Sequence, residues 1–435
     1  MSSKVKSTWL AWAICGLGAL YYAYEYLLRI TPSVMEHALR EHFSLSATGF
    51  GLLSAFYYYA YVPMQVPVGV LMDRFGPRRL VTFACALCVI GTWMFAETKI
   101  IGVAAAGRFI VGFGSAFAFV GVLKLATLWL PEDKLGTVAG LASALGTLGA
   151  MVGDNFLGHI VHRVGWQQAV NYSAFFGIGL VVLLWFGIHD HKRRLEDDGG
   201  TISSFRDALL DLKIIVVNKQ IWINGIYGCL VYLPTTVFAE LWGIPYLHHA
   251  HHLSMGDAAT ANSFIFMGFL LGAPLMGWIS DQLKRRKLPM FMGAFCASVI
   301  MMIVIYVPNL SLSQLNVLMF SLGLFYSVQA LVFAVGRELS PDEAAGTAVA
   351  MTNMLVMLGA MFVQPLIGRL LDWSYSSQHA ADATSMVLQD HSVRLLYSAH
   401  DYQLAMSVIP AGIVIAAILT FFLRETHAHA KHNKS

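Results

Sequence analysis

The chain has 435 residues, of which 57% are hydrophobic and only 12% charged, and its mean hydropathy is +0.63. A water-soluble protein carries roughly 25% charged residues, so the composition excludes a soluble domain as the bulk of the molecule, and a formal net charge of +3 gives no ground for nucleic-acid binding. Walker-type phosphate loops, catalytic triads and zinc-hydrolase spacings are missing from the sequence, which leaves an ATP-driven pump or an enzyme unsupported. No cofactor and no metal are expected.

A helix needs about 20 apolar residues to cross a bilayer. Twelve stretches qualify, at approximately 9–33, 48–72, 79–96, 101–129, 135–160, 167–189, 219–246, 257–280, 288–307, 313–336, 343–371 and 402–423. The predicted fold is therefore an all-α integral membrane protein of twelve transmembrane helices. Lys4 and Lys6 precede a run too long for a signal peptide, so the run reads as the first span. With the N-terminus placed inside, most of the 28 Lys and Arg fall at one face, including Lys192, Arg193 and Arg194 and the run Lys284–Lys287. The opposite face keeps few, such as Arg40, Lys99, Arg163 and Arg394. The positive-inside rule then puts both termini in the cytoplasm, and short loops fit a bacterial inner membrane.

Charges inside spans are costly, so each invites a functional reading with a named partner. In the first span, Glu25 and Arg29 stand four apart and share a face with Tyr22, Tyr26 and Ser33. The second presents Ser54, Tyr58, Tyr61 and Gln65 on one stripe. Together they make a polar, aromatic lining suited to a small polar solute. The bland reading is that Glu25 and Arg29 merely neutralise each other. Desolvation tends to cancel the Coulomb gain of such a pair, so the sharper reading is a pair that opens, Glu25 taking a proton while Arg29 takes the substrate.

Between the second and third spans, Gly69–Leu80 packs Asp73, Arg74, Arg78 and Arg79 into a Gly/Pro turn, which must lie at a water-facing surface. The five cysteines all fall inside spans, and Cys85 and Cys88 read as buried small apolar residues. Gly107, Gly112, Gly114 and Gly121 in the fourth span, and Gly136, Gly140, Gly146, Gly149 and Gly153 in the fifth, mark close helix crossings. Asp154 follows in the fifth span. His189–Lys219 is charged and joins two halves. Its second part, around 205–217, is amphipathic and could lie along the membrane surface. Tyr232 and Glu240 belong to the seventh span, with Glu240 read as near its outer end. His248, His249, His251 and His252 read as a solvated outer loop. Gln329 in the tenth span is a lining candidate. Ser340-Pro341-Asp342-Glu343 opens the eleventh as a capping box, and Gln364 lies further along it.

The chain also repeats itself. At a shift of 210 residues, Pro131 falls on Pro341, Gly136 and Thr137 on Gly346 and Thr347, Gly149-Ala150-Met151 on Gly359-Ala360-Met361, and Asp154 on Gln364. The same shift carries Trp12, Gly18 and Tyr22 to Trp222, Gly228 and Tyr232, while Gly69 and Asp73 find counterparts in Gly277 and Asp281. Two pseudo-symmetric six-helix bundles follow, with boundaries at 1–190 and 219–435 around a linker at 191–218. Such repeats are what alternating-access transporters are built from, with the substrate site between them near the midplane.

Gly69, Asp73, Arg74, Gly76 and Arg78 resemble the Gly-x-x-x-Asp-Arg-x-Gly-Arg loop of the major facilitator superfamily, with Pro77 a mild departure, and Arg108 to Gly112 resembles its Arg-x-x-x-Gly motif. The resemblance implies a secondary transporter in which Asp73 docks on the start of the eleventh helix as a cytoplasmic latch, weakened here by Glu343, and in which Arg108 is structural. Asp281 belongs to the worn copy of the loop. The first-span stretch Tyr21–Arg29 also resembles carriers of organic phosphates and organic anions, which implies that Arg29 binds the anionic group. Those organic-phosphate carriers add a second arginine in the seventh helix, where this chain has Ala239 with Glu240 beside it, so a monocarboxylate or zwitterion is expected before a phosphate ester. No Gly-Pro pair of the antiporter motif occurs in the fifth span.

The expectation is thus proton symport of a small polar or anionic organic solute. Substrate-binding residues would be Arg29, Tyr22, Tyr26, Tyr58, Tyr61, Gln65, Tyr232, Gln329 and Gln364, with Glu25, Asp154 and Glu240 as proton carriers. A dipeptide or amino-acid carrier and a siderophore or metabolite exporter are the alternatives within the superfamily. A non-transporting membrane receptor on the same fold is the alternative of another class. Partners are the solute, protons and the bilayer, with a monomer expected.

Overall fold

The computed structural model describes residues 2–131, 134–189, 212–341, 344–378 and 397–427, with side chains from Trp9 onward. The centre of the predicted linker, Asp342 and Glu343 of the predicted capping box, Arg394 and the end of the tail lie outside the described residues. Among the described residues, secondary structure is helical throughout.

Twelve long helices run in chain order. They are α1 (Ser2–Ile30), α2 (Ala47–Met64, continued by Pro67–Phe75), α3 (Pro77–Glu97), α4 (Ile101–Trp129), α5 (Leu135–Val164) and α6 (Trp166–Gly187), then α7 (Lys219–Ala250), α8 (Met255–Leu283), α9 (Lys287–Tyr306), α10 (Leu312–Glu338), α11 (Ala345–Gln378) and α12 (Ala399–Phe422). Ten of them are long and apolar enough to cross a membrane by length and composition alone. The other two, α1 and α2, hold the tyrosine clusters and, in α1, Glu25 and Arg29, which dilute their hydropathy.

The helices form two six-helix bundles whose packing repeats. Gly149 of α5 packs so tightly on α1 that a Cβ would strike the Ala23 carbonyl, and its counterpart Gly359 of α11 packs against Leu233 and Cys229 of α7. Gly18 meets Val122 and Leu125 of α4, and Gly228 meets Val332 of α10. In lipid there is little solvent to expel, so close backbone approach supplies the association energy, and glycine permits it.

The halves meet along two seams, α2 on α11 and α5 on α8. At one end of the molecule, hereafter the Asp372 end, both seams are shut. A Cβ on Gly51 would come within 2.7 Å of the Gln364 carbonyl oxygen, and one on Gly368 would strike the Ala47 carbonyl. The Asp372 carboxylate accepts from the Ala47 and Thr48 backbone N–H groups (3.2 and 2.9 Å), from Thr48 Oγ1 (2.5 Å) and from the Tyr397 hydroxyl. It caps the start of a helix in the other half, where unpaired N–H groups and the helix dipole favour an anion. At the opposite, Asp73 end, α2 and α11 still touch through Asn353 Nδ2, which donates to Gln65 Oε1 at 2.7 Å. Gly136 and Gly140 of α5 and Gly346 of α11 have open space beside them there. The structure is therefore sealed at the Asp372 end and loosened at the other.

At the Asp73 end, Gly76 turns the chain from α2 into α3 with φ +79°, a conformation that favours glycine. Asp73 pairs with Lys124 of α4 at 2.8 Å. Arg78 stacks on Trp185 and donates to its carbonyl, and Arg74 lies over Phe75. The copied loop is wired differently: Arg286 joins Asp281 (2.6 Å) to Glu338 of α10 (2.7 Å). Asp73 is thus tied to a lysine of its own bundle, and the far side of the expected latch falls at Asp342 and Glu343, outside the described residues. The outer histidines are internally bonded: His248 Nδ1 pairs with the Leu253 carbonyl, His251 Nε2 with the Val304 carbonyl, and His249 stacks on Tyr402.

These contacts predict opposite outcomes for two glycine substitutions. Gly51→Val overpacks the α2–α11 seam and is expected to cost about 1–3 kcal/mol, visible as a lower unfolding temperature in detergent. Gly346→Ala meets no atom and is expected to leave that temperature unchanged.

Candidate functional site

The site is built around a guanidinium buried near the end of α1. Arg29 is 3% exposed, near the end of α1. Its Nη2 donates to Glu25 Oε1 at 2.8 Å, one helical turn back, and its Nε donates to the Tyr57 hydroxyl at 3.2 Å. Tyr57 passes the chain on, donating to Glu25 Oε2 at 2.8 Å. Both oxygens of Glu25 are therefore engaged from α1 and α2.

The remaining arm, Nη1, faces Glu240 Oε1 of α7 at 3.7 Å, across the boundary between the halves. The Tyr58 hydroxyl donates to Glu240 Oε2. Glu240 Oε1 is fully buried and has no hydrogen-bond partner. Aromatic faces close the cluster, with the Arg29 guanidinium 4.4 Å from the centroid of Tyr26 and 5.0 Å from that of Tyr61. Cation–π attraction of this kind strengthens as water is excluded. The Tyr26 hydroxyl meets that of Tyr232 at 3.4 Å, again across the two halves.

Glu240 reaches this position because α7 is not a regular helix there. Pro234–Trp242 forms a π-helix, and the wider turn shifts the residues that face inward. Sequence spacing placed Glu240 near the outer end of its span. The structure instead sets it beside Arg29, while Ala239, the repeat counterpart of Arg29, turns its carbonyl to Asn262 Nδ2 at 2.9 Å.

Arg108 of α4 supports the site from behind. Its Nη1 donates to the Leu28 carbonyl at 2.9 Å and its Nη2 to the Arg29 carbonyl at 3.3 Å, while the group lies 5.1 Å from the Tyr57 ring centroid. These bonds hold the last turn of α1, whose carbonyls lack helical partners, and so fix where Arg29 emerges.

The other predicted residues divide by location. Tyr22 packs edge-on against Tyr26 at the margin of the cluster. Gln65 lies toward the Asp73 end, bonded to Asn353. Gln329 is buried in the 3-10 turn Ser327–Ala330 of α10. Gln364 Nε2 donates to the Thr236 carbonyl of α7 at 2.7 Å, leaving its Oε1 unpartnered. Asp154 stands apart from the arginine, nearer the Asp372 end, between Ser33 and Asn262. Tyr57 is the residue the sequence reading left out: its ring stacks on Tyr61 at 5.5 Å while its hydroxyl reaches Glu25 and Arg29 of α1. Its position four before Tyr61 and one turn from Ser54 was the available signal. Among the described residues, no three His, Cys, Asp or Glu side chains are grouped to hold a metal ion.

Comparison with known proteins places the chain among membrane transporters by sequence and fold. The chain is 23% identical over 385 residues to a protein of Escherichia coli K12 named "Probable galactarate/D-glucarate transporter GudP", covering 80% of this chain and 84% of that one. It is likewise 23% identical over 395 residues to the "Probable sulfoacetate transporter SauU" of Cupriavidus necator, covering 86% and 89%. Among solved structures, a bacterial homologue of the human lysosomal transporter Spinster, in an inward-facing and unoccupied conformation, superimposes with a TM-score of 0.74 at 16% identity, over 95% of this chain and 97% of the other. The profile described as Major Facilitator Superfamily matches residues 10–364, and the chain belongs to that family.

Proposed function

We propose that this protein is a proton-coupled secondary transporter of hydroxylated organic acids, with Arg29 as the group that grips the substrate carboxylate. One observation carries the reading: a single buried guanidinium is shared between Glu25 of one half and Glu240 of the other. A guanidinium fork binds carboxylate bidentately, so a substrate carboxylate competes for the arms that the two glutamates hold.

The charge count then sets the coupling. Arg29 and Arg108 carry two positive charges, and Glu25 and Glu240 two negative ones. Each negative charge brought in by substrate is balanced when one glutamate takes a proton, because uncompensated charge at bilayer depth is costly. A monoanion would enter with one proton and a dianion with two. Glu240 Oε1 accepts no hydrogen bond and meets only the Arg29 Nη1 charge at 3.7 Å, and a substrate hydroxyl would supply the missing donor. The relatives named for galactarate, D-glucarate and sulfoacetate are named for small organic acids, of which the first two are hydroxylated, and this supports a carboxylate-bearing substrate. Tyr26, Tyr58, Tyr61 and Tyr232 would line the bound solute, and Gln65, Gln329 and Gln364 would border its path. The two bundles, at 1–190 and 219–435 with 191–218 between them, would rock about this centre, and the Asp73 end would face the cytoplasm.

Uptake into proteoliposomes tests this directly. With an inward proton gradient imposed, radiolabelled D-glucarate, galactarate or sulfoacetate is expected to accumulate and acidify the lumen, whereas a dipeptide is not. Arg29→Lys, which keeps the charge but loses the fork, is expected to reduce uptake by about tenfold or more, equivalent to about 1.4 kcal/mol per factor of ten. Uptake unaffected by either the gradient or Arg29→Lys would refute the reading, and acid binding without uptake would mark a receptor.

A second expectation concerns the support of the site. Tyr57→Phe removes the donor to Glu25 Oε2 and the acceptor of Arg29 Nε together. Leaving those buried groups unsatisfied is expected to cost about 1–3 kcal/mol, seen as a lower unfolding temperature that added substrate acid partly restores.

A further inference from the structure

A second buried carboxyl lies away from the arginine. Asp154, 0% exposed, sits in the π-helical turn Gly153–Leu157 of α5. Asn262 Nδ2 of α8 donates to its Oδ2 at 2.7 Å, and Ser33 Oγ, in the turn after α1, stands 3.5 Å from its Oδ1. Both partners are neutral. Among the described residues it makes no ion pair.

The elements around it supply nothing cationic. From α7 the charged group facing it is Glu240, of like sign. From α8 come Asn262, Thr260 and Ser263, the last two bonded to the neighbouring Asn155. Past Ser33, Glu36 is occupied by Arg40 at 2.8 Å. On α5 itself, His159 points outward and bonds the Asn155 carbonyl. A carboxylate ionised in such a place would bear a desolvation cost of several kcal/mol without a cation to offset it.

We propose that Asp154 is a proton-binding site separate from the Arg29 centre, and that its protonation locks the α5–α8 seam shut at the Asp372 end. In the closed form the neutral acid bridges Ser33 of one half and Asn262 of the other. When the seam parts, water reaches the carboxyl and the proton passes to it, leaving a hydrated carboxylate. Reclosing takes one proton back from water at that end. The cycle needs no substrate, so it stands or falls independently of the transport reading.

The sign follows from linkage. The closed form binds one proton more than the open form, so raising pH favours opening, by at most about tenfold per pH unit for a single proton. Distances across the seam measure it. His37 and Met255, on opposite halves at the Asp372 end and exposed, are replaced by spin-labelled cysteines in substrate-free full-length protein in nanodiscs. Cys229 and Cys296, the two partly exposed thiols, are changed to serine. Between about pH 5 and 8 the long-distance population is expected to grow in the otherwise native protein. In Asp154→Asn, which cannot ionise, it is expected to stay small and flat. Glu36→Gln, a carboxyl paired with Arg40 outside the Arg29 centre, is expected to retain the pH response, because it is not the titrating group.

A pH-independent population in the native background would overturn the proposal. So would a native-like response in Asp154→Asn, its loss in Glu36→Gln, or a shift driven by sodium at constant pH and ionic strength. Should Asp154→Asn fail to fold, Asn262→Ala, which removes the 2.7 Å donor to Asp154 Oδ2, is expected to shift the pH midpoint, and an unchanged midpoint would overturn the proposal.

Discussion

The structure is arranged around the need to compensate the charge of one buried guanidinium. Arg29 cannot shed its proton, so the chain must bring acceptors and aromatic faces to it. Glu25 comes from the same helix, Tyr57 and Tyr61 from α2, and Glu240 from the other half. Only the last of these depends on how the halves are disposed. The contact to Glu25 measures 2.8 Å and that to Glu240 3.7 Å, so the inter-half arm is the looser one. A carboxylate arriving from solution would displace that arm first, and the same event would alter what holds the two bundles together. In the proposed cycle, substrate recognition and conformational change would draw on one set of charges.

The Asp372 end shows a different way of joining the halves. There the contacts are backbone approaches at Gly51 and Gly368 and a carboxylate seated on the first N–H groups of α2. Such an interface is geometrically demanding. It is shut when α2 and α11 lie in register, and a small displacement forfeits the caps and the glycine contacts together. Packed interfaces are bistable rather than elastic, which suits an end that must be closed or open. The central cluster, built of long side chains, can adjust by degrees.

The fold was legible because the bilayer imposes it. Twelve apolar stretches and a 210-residue repeat are read from composition and spacing, and the glycines that pair between repeats, Gly149 with Gly359 and Gly18 with Gly228, occupy equivalent crossings. The face of α1 that carries Glu25, Tyr26 and Arg29 was legible too, since i and i+4 positions stack on any helix. Glu240 was named as a proton carrier, but its place beside Arg29 was not legible, because a π-helical turn changes the count of residues per turn and nothing in Pro234–Trp242 announces it. Tyr57 was hidden by its neighbours: with tyrosines at 57, 58, 59 and 61, a helical wheel does not say which of them meets α1. The pairing of Asp73 with Lys124 was likewise beyond reach, as it depends on how α4 leans against the loop.

Duplication gives two matching scaffolds, yet the buried charges are not duplicated. Arg29 has Ala239 as its counterpart, and Asp154 has Gln364, which bonds the Thr236 carbonyl. There is a physical reason for this. Two guanidiniums facing each other at the midplane would repel and would each need a counter-ion, whereas one guanidinium facing a glutamate satisfies both halves. Gln364 keeps the hydrogen-bonding shape of an acidic residue without its charge, so the second half is held at the place where the first can titrate. The symmetry needed for rocking resides in glycines and helix crossings. The asymmetry that the proposed coupling would use resides in Arg29, Glu25, Asp154 and the one acid that a wide helical turn delivers from the other side.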